Sequence, residues 1–241
     1  MTTSTSERRA RGSVPLPTVP ALEAGDQLTR DEFERRYAAM PALKKAELIE
    51  GVVYMPSPVR VRRHGSPHAK IIGWLIHYQA RTPSVEVADN ATARLDMDNE
   101  PQPDAMLFIA PELGGQVRIS PDDYVEAAPE LVAEVASSSA SYDLNTKLHA
   151  YRRNGVREYV VWRVLDRQID WFVLRGGRYE RLQPDDGGVV RSAFFAGLWL
   201  DTAALLRGDL AGTLQTLDEG LSTPEHVAFA TRLGGHDVPR I

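Results

Sequence analysis

Two acids set into apolar runs are the residues of this chain whose surroundings ask for chemistry. Asp104 stands near the start of Pro103-Asp104-Ala105-Met106-Leu107-Phe108-Ile109, and Glu134 lies inside Leu131-Val132-Ala133-Glu134-Val135-Ala136. Burying a carboxylate costs several kcal/mol unless a metal, a cation or good donors compensate it. Two such acids therefore ask for a shared explanation. A hard divalent cation is bound by carboxylate oxygens, backbone carbonyls and water, and Mg²⁺ takes only one or two carboxylates while keeping several waters. Asp104 and Glu134 could supply that pair, with the backbone carbonyl of Val135 facing the same ion. Lys147 follows on a helical pattern that also holds Asp143 and Tyr151, each at i,i+4 spacing and so along one face. A lysine near such an ion can orient or deprotonate the attacking water and offset charge that develops on a phosphate. These parts describe metal-assisted hydrolysis of a phosphodiester. For Asp143 the residues favour a plainer role, as a surface partner of Lys147 or an acid suited to a helix N-terminus.

The elements that must position these groups can be read from the same pattern. Both apolar runs are short, rich in residues that suit a pleated sheet and bounded by Pro, Gly, Asp or Ser, which makes them strands of a well-covered sheet. The turn from Ser137 to Ser141 leads into the Lys147 helix, and Asn154-Gly155 stops it. Upstream, Thr29-Arg30-Asp31-Glu32 has capping-box spacing for a helix through Tyr37. Leu48 to Met55 reads as strand, turn, strand, ended by Pro56 and Pro58. A helix follows from Ser66 to Arg81, with Ile71, Ile72, Leu75, Ile76 and Tyr78 as its apolar stripe. Val85 to Val87 and Ala91 to Leu95 are short strands. Val156 to Val164, Gln168 to Leu174 and Arg178 to Leu182 are three more, the last two joined at Arg175-Gly176-Gly177. Phe194 to Leu200 and a short helix near Ala203 to Leu206 close the core, in an α/β chain. Ahead of the Ser66 helix, Arg60-Val61-Arg62-Arg63-His64 is the densest positive patch outside the N-terminal stretch, and Arg60, Arg62 and Arg63 are candidates for holding substrate phosphates.

Composition narrows the classes. The chain has 241 residues, enough for one ordinary to large domain with tails. Residues 1–25 are rich in Ser, Thr, Arg and Pro and are expected to be a disordered leader, residues 26–208 the domain, and 209–241 a helical extension or tail. With no Cys, disulfides, thiolate catalysis and Cys-ligated zinc are excluded. A net charge of −5 argues against a generally basic nucleic-acid coat but permits a local basic groove. No apolar run approaches the roughly 18 to 20 residues of a membrane span, and no signal-peptide core is present, so a cytoplasmic location is expected. The serines from Ser137 to Ser139 lack the glycine pattern of a nucleophile elbow, which argues against a serine hydrolase.

The ordered series Glu50-Gly51, His68, Pro103-Asp104, Glu134-Val135-Ala136-Ser137, Asp143, Lys147, Tyr151, Gly155-Val156 and Glu158-Tyr159 resembles the Uma2 family, also called DUF820, over about Leu48 to Leu200. That family belongs to the PD-(D/E)xK nuclease superfamily. The resemblance implies a restriction-endonuclease-like core, a mixed β-sheet flanked by helices, with Mg²⁺ or Mn²⁺ held by Asp104 and Glu134. It implies an endonuclease acting on DNA. Glu50 resembles the additional acid such cores present from an earlier element, while Tyr151 and His68 are further candidates. Where the superfamily pattern has its lysine, two residues after the second acid, this chain has Ala136, and Lys147 must reach the same point from the next helix. Two alternatives stay open: a nuclease fold kept as a binding or regulatory module, and a hydrolase of small phosphorylated substrates. A homodimer is expected, because cutting both strands takes two sites and closed two-fold pairing is the commonest assembly.

Overall fold

The computed structural model describes residues 19–55, 58–137 and 139–235. The Arg8-Arg9-Ala10-Arg11 cluster, Pro56 and Ser138 lie outside the described residues. The chain begins with helix α1 (Arg30–Ala38) and the hairpin of β1 (Glu47–Ile49) and β2 (Val52–Tyr54). Thr29 holds the cap position of α1 in extended backbone, but its side chain makes no capping hydrogen bond. Glu32, the other half of the expected capping box, is instead clamped by Arg35 and Arg36 at 2.7 and 2.6 Å. The hairpin loop has two residues, and Glu50 and Gly51 both take positive φ, 54° and 72°, as a tight primed turn requires. Leu22 is buried with Phe33, Leu48 and Val53 in a small core, and the Gly25 amide donates to the Val53 carbonyl at 2.8 Å. Order therefore begins ahead of Thr29, within the stretch that composition assigned to a leader.

Helix α2 (Ser66–Gln79) follows a π-helical turn over Val61–Gly65. Then come β3 (Val85–Asp89), β4 (Ala93–Arg94), β5 (Ala105–Ile109), β6 (Arg118–Ile119), β7 (Val125–Glu126) and β8 (Leu131–Ala136). Residues 140–154 form one continuous helical run, made of α3 (Ala140–Tyr142), a π-helical turn over Asp143–Lys147, and α4 (Leu148–Asn154). The second half supplies β9 (Glu158–Arg163), β10 (Gln168–Arg175), β11 (Arg178–Arg181), β12 (Val189–Arg191) and β13 (Trp199–Asp201), then α5 (Thr202–Arg207), α6 (Leu210–Leu221) and α7 (Pro224–Gly234).

The central sheet has six strands in the order β11-β10-β9-β8-β5-β3. Only β8 and β9 pair in parallel within it, because the helical run 140–154 carries the chain across one face between them. The other pairs are antiparallel, so the sheet is mixed and flanked by helices. Side chains alternate between its faces. Leu131, Ala133 and Val135 of β8 join the core under α2, together with Leu217, Leu221, Phe229 and Leu233 of α6 and α7. Val132 and Ala136 join the opposite core with Tyr151 and Tyr159, under the 140–154 run. Residues 209–235 thus pack on the main core rather than trailing from it. Among the described residues no helix is long and apolar enough to cross a membrane.

Candidate active site

Register brings the two strand acids together. Ala105 of β5 pairs with Ala133 of β8 at the end of their antiparallel ladder, so Asp104, the residue before Ala105, and Glu134, the residue after Ala133, leave that end of the ladder side by side. Both fall on the even-numbered positions, the face covered by the 140–154 run. Asp104 Oδ2 accepts the Val135 amide at 2.7 Å and faces His64 Nε2 at 3.1 Å. In extended backbone an amide and carbonyl of one residue point to the same side, so the Val135 carbonyl is directed towards Asp104 as well.

Glu134 Oε1 receives two donors, Lys147 Nζ at 2.8 Å and Tyr151 Oη at 2.9 Å. Lys147 Nζ also donates to Glu47 Oε1 at 2.9 Å. An ammonium has three donors, so one remains for the cleft that Lys147 lines. The cleft holds about 660 Å³. Asp104, Glu134, Val135, Glu47 and Asp143 line it, together with the exposed Arg60 and Arg63. Both π-helical turns contribute to it, Val61–Gly65 through Arg63 and His64 and Asp143–Lys147 through its two end residues. Such widened turns are rare and concentrate at functional sites.

The carboxylates sit in an environment that crowds negative charge. Burial pushes Glu134 up to about 8, against the pull of Lys147 and with help from Asp104, Asp143 and Glu47. Burial likewise raises Asp143, whose carboxylate accepts the Ser139 hydroxyl at 2.6 Å. At Asp104 burial works upward too, but His64, the Val135 amide and Lys45 outweigh it and hold the carboxyl below its ordinary value. For Lys147 burial acts downward and is overcome by Glu134, Glu47 and Asp143, so the ammonium is held well above its usual range. Tyr151 is raised strongly by burial and by Glu134 beside it, which keeps its hydroxyl a donor.

Among the residues singled out in sequence, Asp104, Glu134, Val135, Lys147, Arg60 and Arg63 line the cleft, and Tyr151 reaches it through Glu134. Three do not line it. Glu50 sits at the hairpin turn and pairs with Arg153 at 2.6 Å, because its positive φ aims it away from the sheet. His68 Nε2 lies 2.8 Å from the Asp104 carbonyl and 3.0 Å from Asp89 Oδ1, so it braces the backbone behind Asp104. Arg62 points into the neighbouring pocket. Asp143 is buried, not a surface acid, since its helix lays that face on the sheet. Glu47 was missed, although Ala46-Glu47-Leu48-Ile49 is the same signal as Glu134, an acid inside an apolar strand. Its Oε1 also accepts the Gln102 amide at 2.8 Å, tying β1 to the approach of β5.

The fold is an α/β domain built on a six-stranded mixed sheet flanked by helices. A crystal structure titled as a putative nuclease belonging to DUF820 from Anabaena variabilis ATCC 29413 superposes with a TM-score of 0.57 at 16% identity, covering 75% of this chain and 98% of that one. The model of the Uma2 family, described as a putative restriction endonuclease, matches residues 30–203. The chain belongs to the Uma2 family. Among curated proteins none matches it significantly.

Proposed function

We propose that this protein is a metal-dependent endonuclease that hydrolyses DNA phosphodiester bonds. The observation that carries the proposal is that Asp104, just ahead of β5, and Glu134 of β8 line one cleft, Asp104 bonded to the Val135 amide at 2.7 Å and Glu134 to Lys147 at 2.8 Å. The donor set fits a hard divalent cation. Asp104 Oδ1 and Glu134 Oε2 have no hydrogen-bond donor among the described residues, and both acids line the same cleft. No three His, Cys, Asp or Glu side chains among the described residues form a ready metal cluster. A site for Mg²⁺, or the similar Mn²⁺, would therefore rest on two carboxylates and a carbonyl, with water completing the shell.

Asp104, Glu134 and the Val135 carbonyl would hold the ion, which supplies Lewis-acid activation of water and charge neutralisation at the phosphate. Lys147 keeps its proton under these carboxylates, orients Glu134 and offers its third N–H to the attacking water or a phosphate oxygen. Tyr151 fixes the Glu134 rotamer from the other side. Arg60 and Arg63 approach the backbone phosphates at the cleft edge, supplying the local positive charge that a chain of net −5 otherwise lacks. Two copies would present two such sites to a duplex, which makes a homodimer the working assembly. The test is cleavage of plasmid and linear DNA with Mg²⁺ or Mn²⁺. Activity is expected in the wild type and lost in Asp104→Ala with Glu134→Ala; cutting that survives both changes rejects these residues. Lys147→Met tests the displaced lysine separately, and an unchanged rate removes it from the mechanism.

A further inference from the structure

Beside the cleft lies a second pocket of about 250 Å³, and its charge is one-sided. Arg62, Lys70, Arg167 and Arg207 line it, and no acid does. None of the four has a carboxylate partner within 4 Å among the described residues, whereas Arg30, Arg36, Arg94, Arg153 and Arg163 elsewhere are each paired. Gathering four unpaired cations over a floor of Trp162 and Leu205 raises the free energy of the empty pocket, since like charges repel most where low-dielectric walls focus their field. The chain shape enforces this closeness. Helix α5 ends in Gly208 at φ 82°, and a Cβ there would come 3.3 Å from the Lys70 ammonium, so Lys70 lies against the C-terminal end of α5.

The pocket and the cleft share their dividing walls. Along the segment 60–63, Arg60 and Arg63 face the cleft while Arg62 faces the pocket. After β9, Leu165 faces the cleft while Val164 and Arg167 face the pocket. A polyanion lying in the cleft would therefore continue over the pocket.

Resting on the nuclease assignment above, we propose that this pocket holds a non-scissile phosphate of the nucleic-acid strand whose neighbouring bond lies in the cleft. The ligand chemistry is a phosphodiester, and the positive lining provides affinity and register without reading bases. Arg62, Arg167 and Arg207 are exposed, so replacing all three by Gln leaves the core intact. Arg178→Gln is the control, an exposed cation at the far end of the β10–β11 hairpin.

The measurement is anisotropy of a labelled duplex in EDTA, where no strand is cut, at several salt concentrations, with folding checked by circular dichroism. The triple variant should bind roughly tenfold or more weakly, and the slope of log affinity against log salt should shrink by about one, the share of the single phosphate contact that is lost. The control should match the wild type in both. Calorimetry with inorganic pyrophosphate separates a strand site from a site for free anions. Pyrophosphate binding as tight as DNA binding, with DNA affinity indifferent to the three substitutions, overturns the proposal. Unchanged affinity and slope in the triple variant, beside a wild type that cuts DNA, overturns the pocket alone. A wild type that neither binds nor cuts DNA overturns the nuclease assignment and the pocket's role with it.

Discussion

Lys147→Met removes the only lysine or arginine paired within 4 Å with Glu47, Asp104, Glu134 or Asp143 among the described residues. Two hydrogen bonds to charged groups are lost, at about 1.5 to 3 kcal/mol each, and breaking a buried pair typically costs about 3 to 5 kcal/mol. The cluster has an escape, because Glu134 is already pushed up to about 8 and takes up a proton readily. We therefore expect a loss of about 2 to 4 kcal/mol at pH 7, or roughly 5 to 15 °C in Tm for a domain of this size. The pH dependence carries the mechanism. Glu134 titrates near its ordinary 4.5 in the unfolded chain and near 8 in the folded one, so between these values the folded chain holds a proton that the unfolded chain has released. Stability then falls as pH rises through that window, by at most about 1.4 kcal/mol per unit. Removing Lys147 takes away a lowering influence and extends the window upward, so the variant should suffer more at pH 8.5 than at pH 5.5. Adding Glu134→Gln should restore about 2 kcal/mol at pH 8.5, a coupling that a double-mutant cycle measures. Urea unfolding followed by circular dichroism at three pH values is the assay. Equal losses at pH 5.5 and 8.5, with strictly additive single substitutions, would refute the electrostatic account.

Three further outcomes follow from particular contacts. Glu47→Gln, which weakens the hold on Lys147, should lower DNA cleavage about 10- to 100-fold, whereas Glu50→Gln, which only releases Arg153, should leave it within about twofold; initial-rate assays of the two variants decide this. Mg²⁺ or Mn²⁺ affinity, measured by calorimetry, should rise between pH 6 and 8 by up to about tenfold per unit, because a Glu134 pushed up to about 8 must shed its proton to bind; a flat profile contradicts that assignment. Gly220→Ala should destabilise the fold by about 2 kcal/mol or more. A Cβ there would meet the Gly197 carbonyl at 2.3 Å and Trp199 Cγ at 2.7 Å, forcing α6 off β13, and a Tm unchanged within a degree would disprove the tight docking.

Much of the lining of the candidate cleft was legible because one physical rule covers it: an isolated acid in an apolar strand must have a partner. The rule found Asp104 and Glu134, and helical spacing then found Lys147 and Tyr151. It covers Glu47 equally, yet Glu50 stood closer to the motif that the family resemblance supplied. Only the hairpin register decides between them, since the loop turns Glu50 outward while all of β1 is buried. Asp143 was misjudged for a related reason. An i,i+4 acid and lysine look alike in sequence whether they face water or a sheet, and the crossover between parallel β8 and β9 is what lays that face down. The second pocket was beyond sequence altogether, because Arg62, Lys70, Arg167 and Arg207 come from segments that only the fold brings together.

The cluster gathers more acid than its cations offset. Glu47, Glu134 and Asp143 lean on a single ammonium, and the price is visible in acids that burial drives upward at Glu134 and Asp143. Asp104 is the exception, held ionised by His64 and the Val135 amide while its other oxygen stays free of donors. A site built for stability alone would replace such a cluster with packed apolar side chains, which is commonly neutral or favourable. An ionised carboxylate beside a neighbour poised to lose a proton is what the proposed cation site would use, since an incoming charge would displace that proton and relieve the repulsion among these acids.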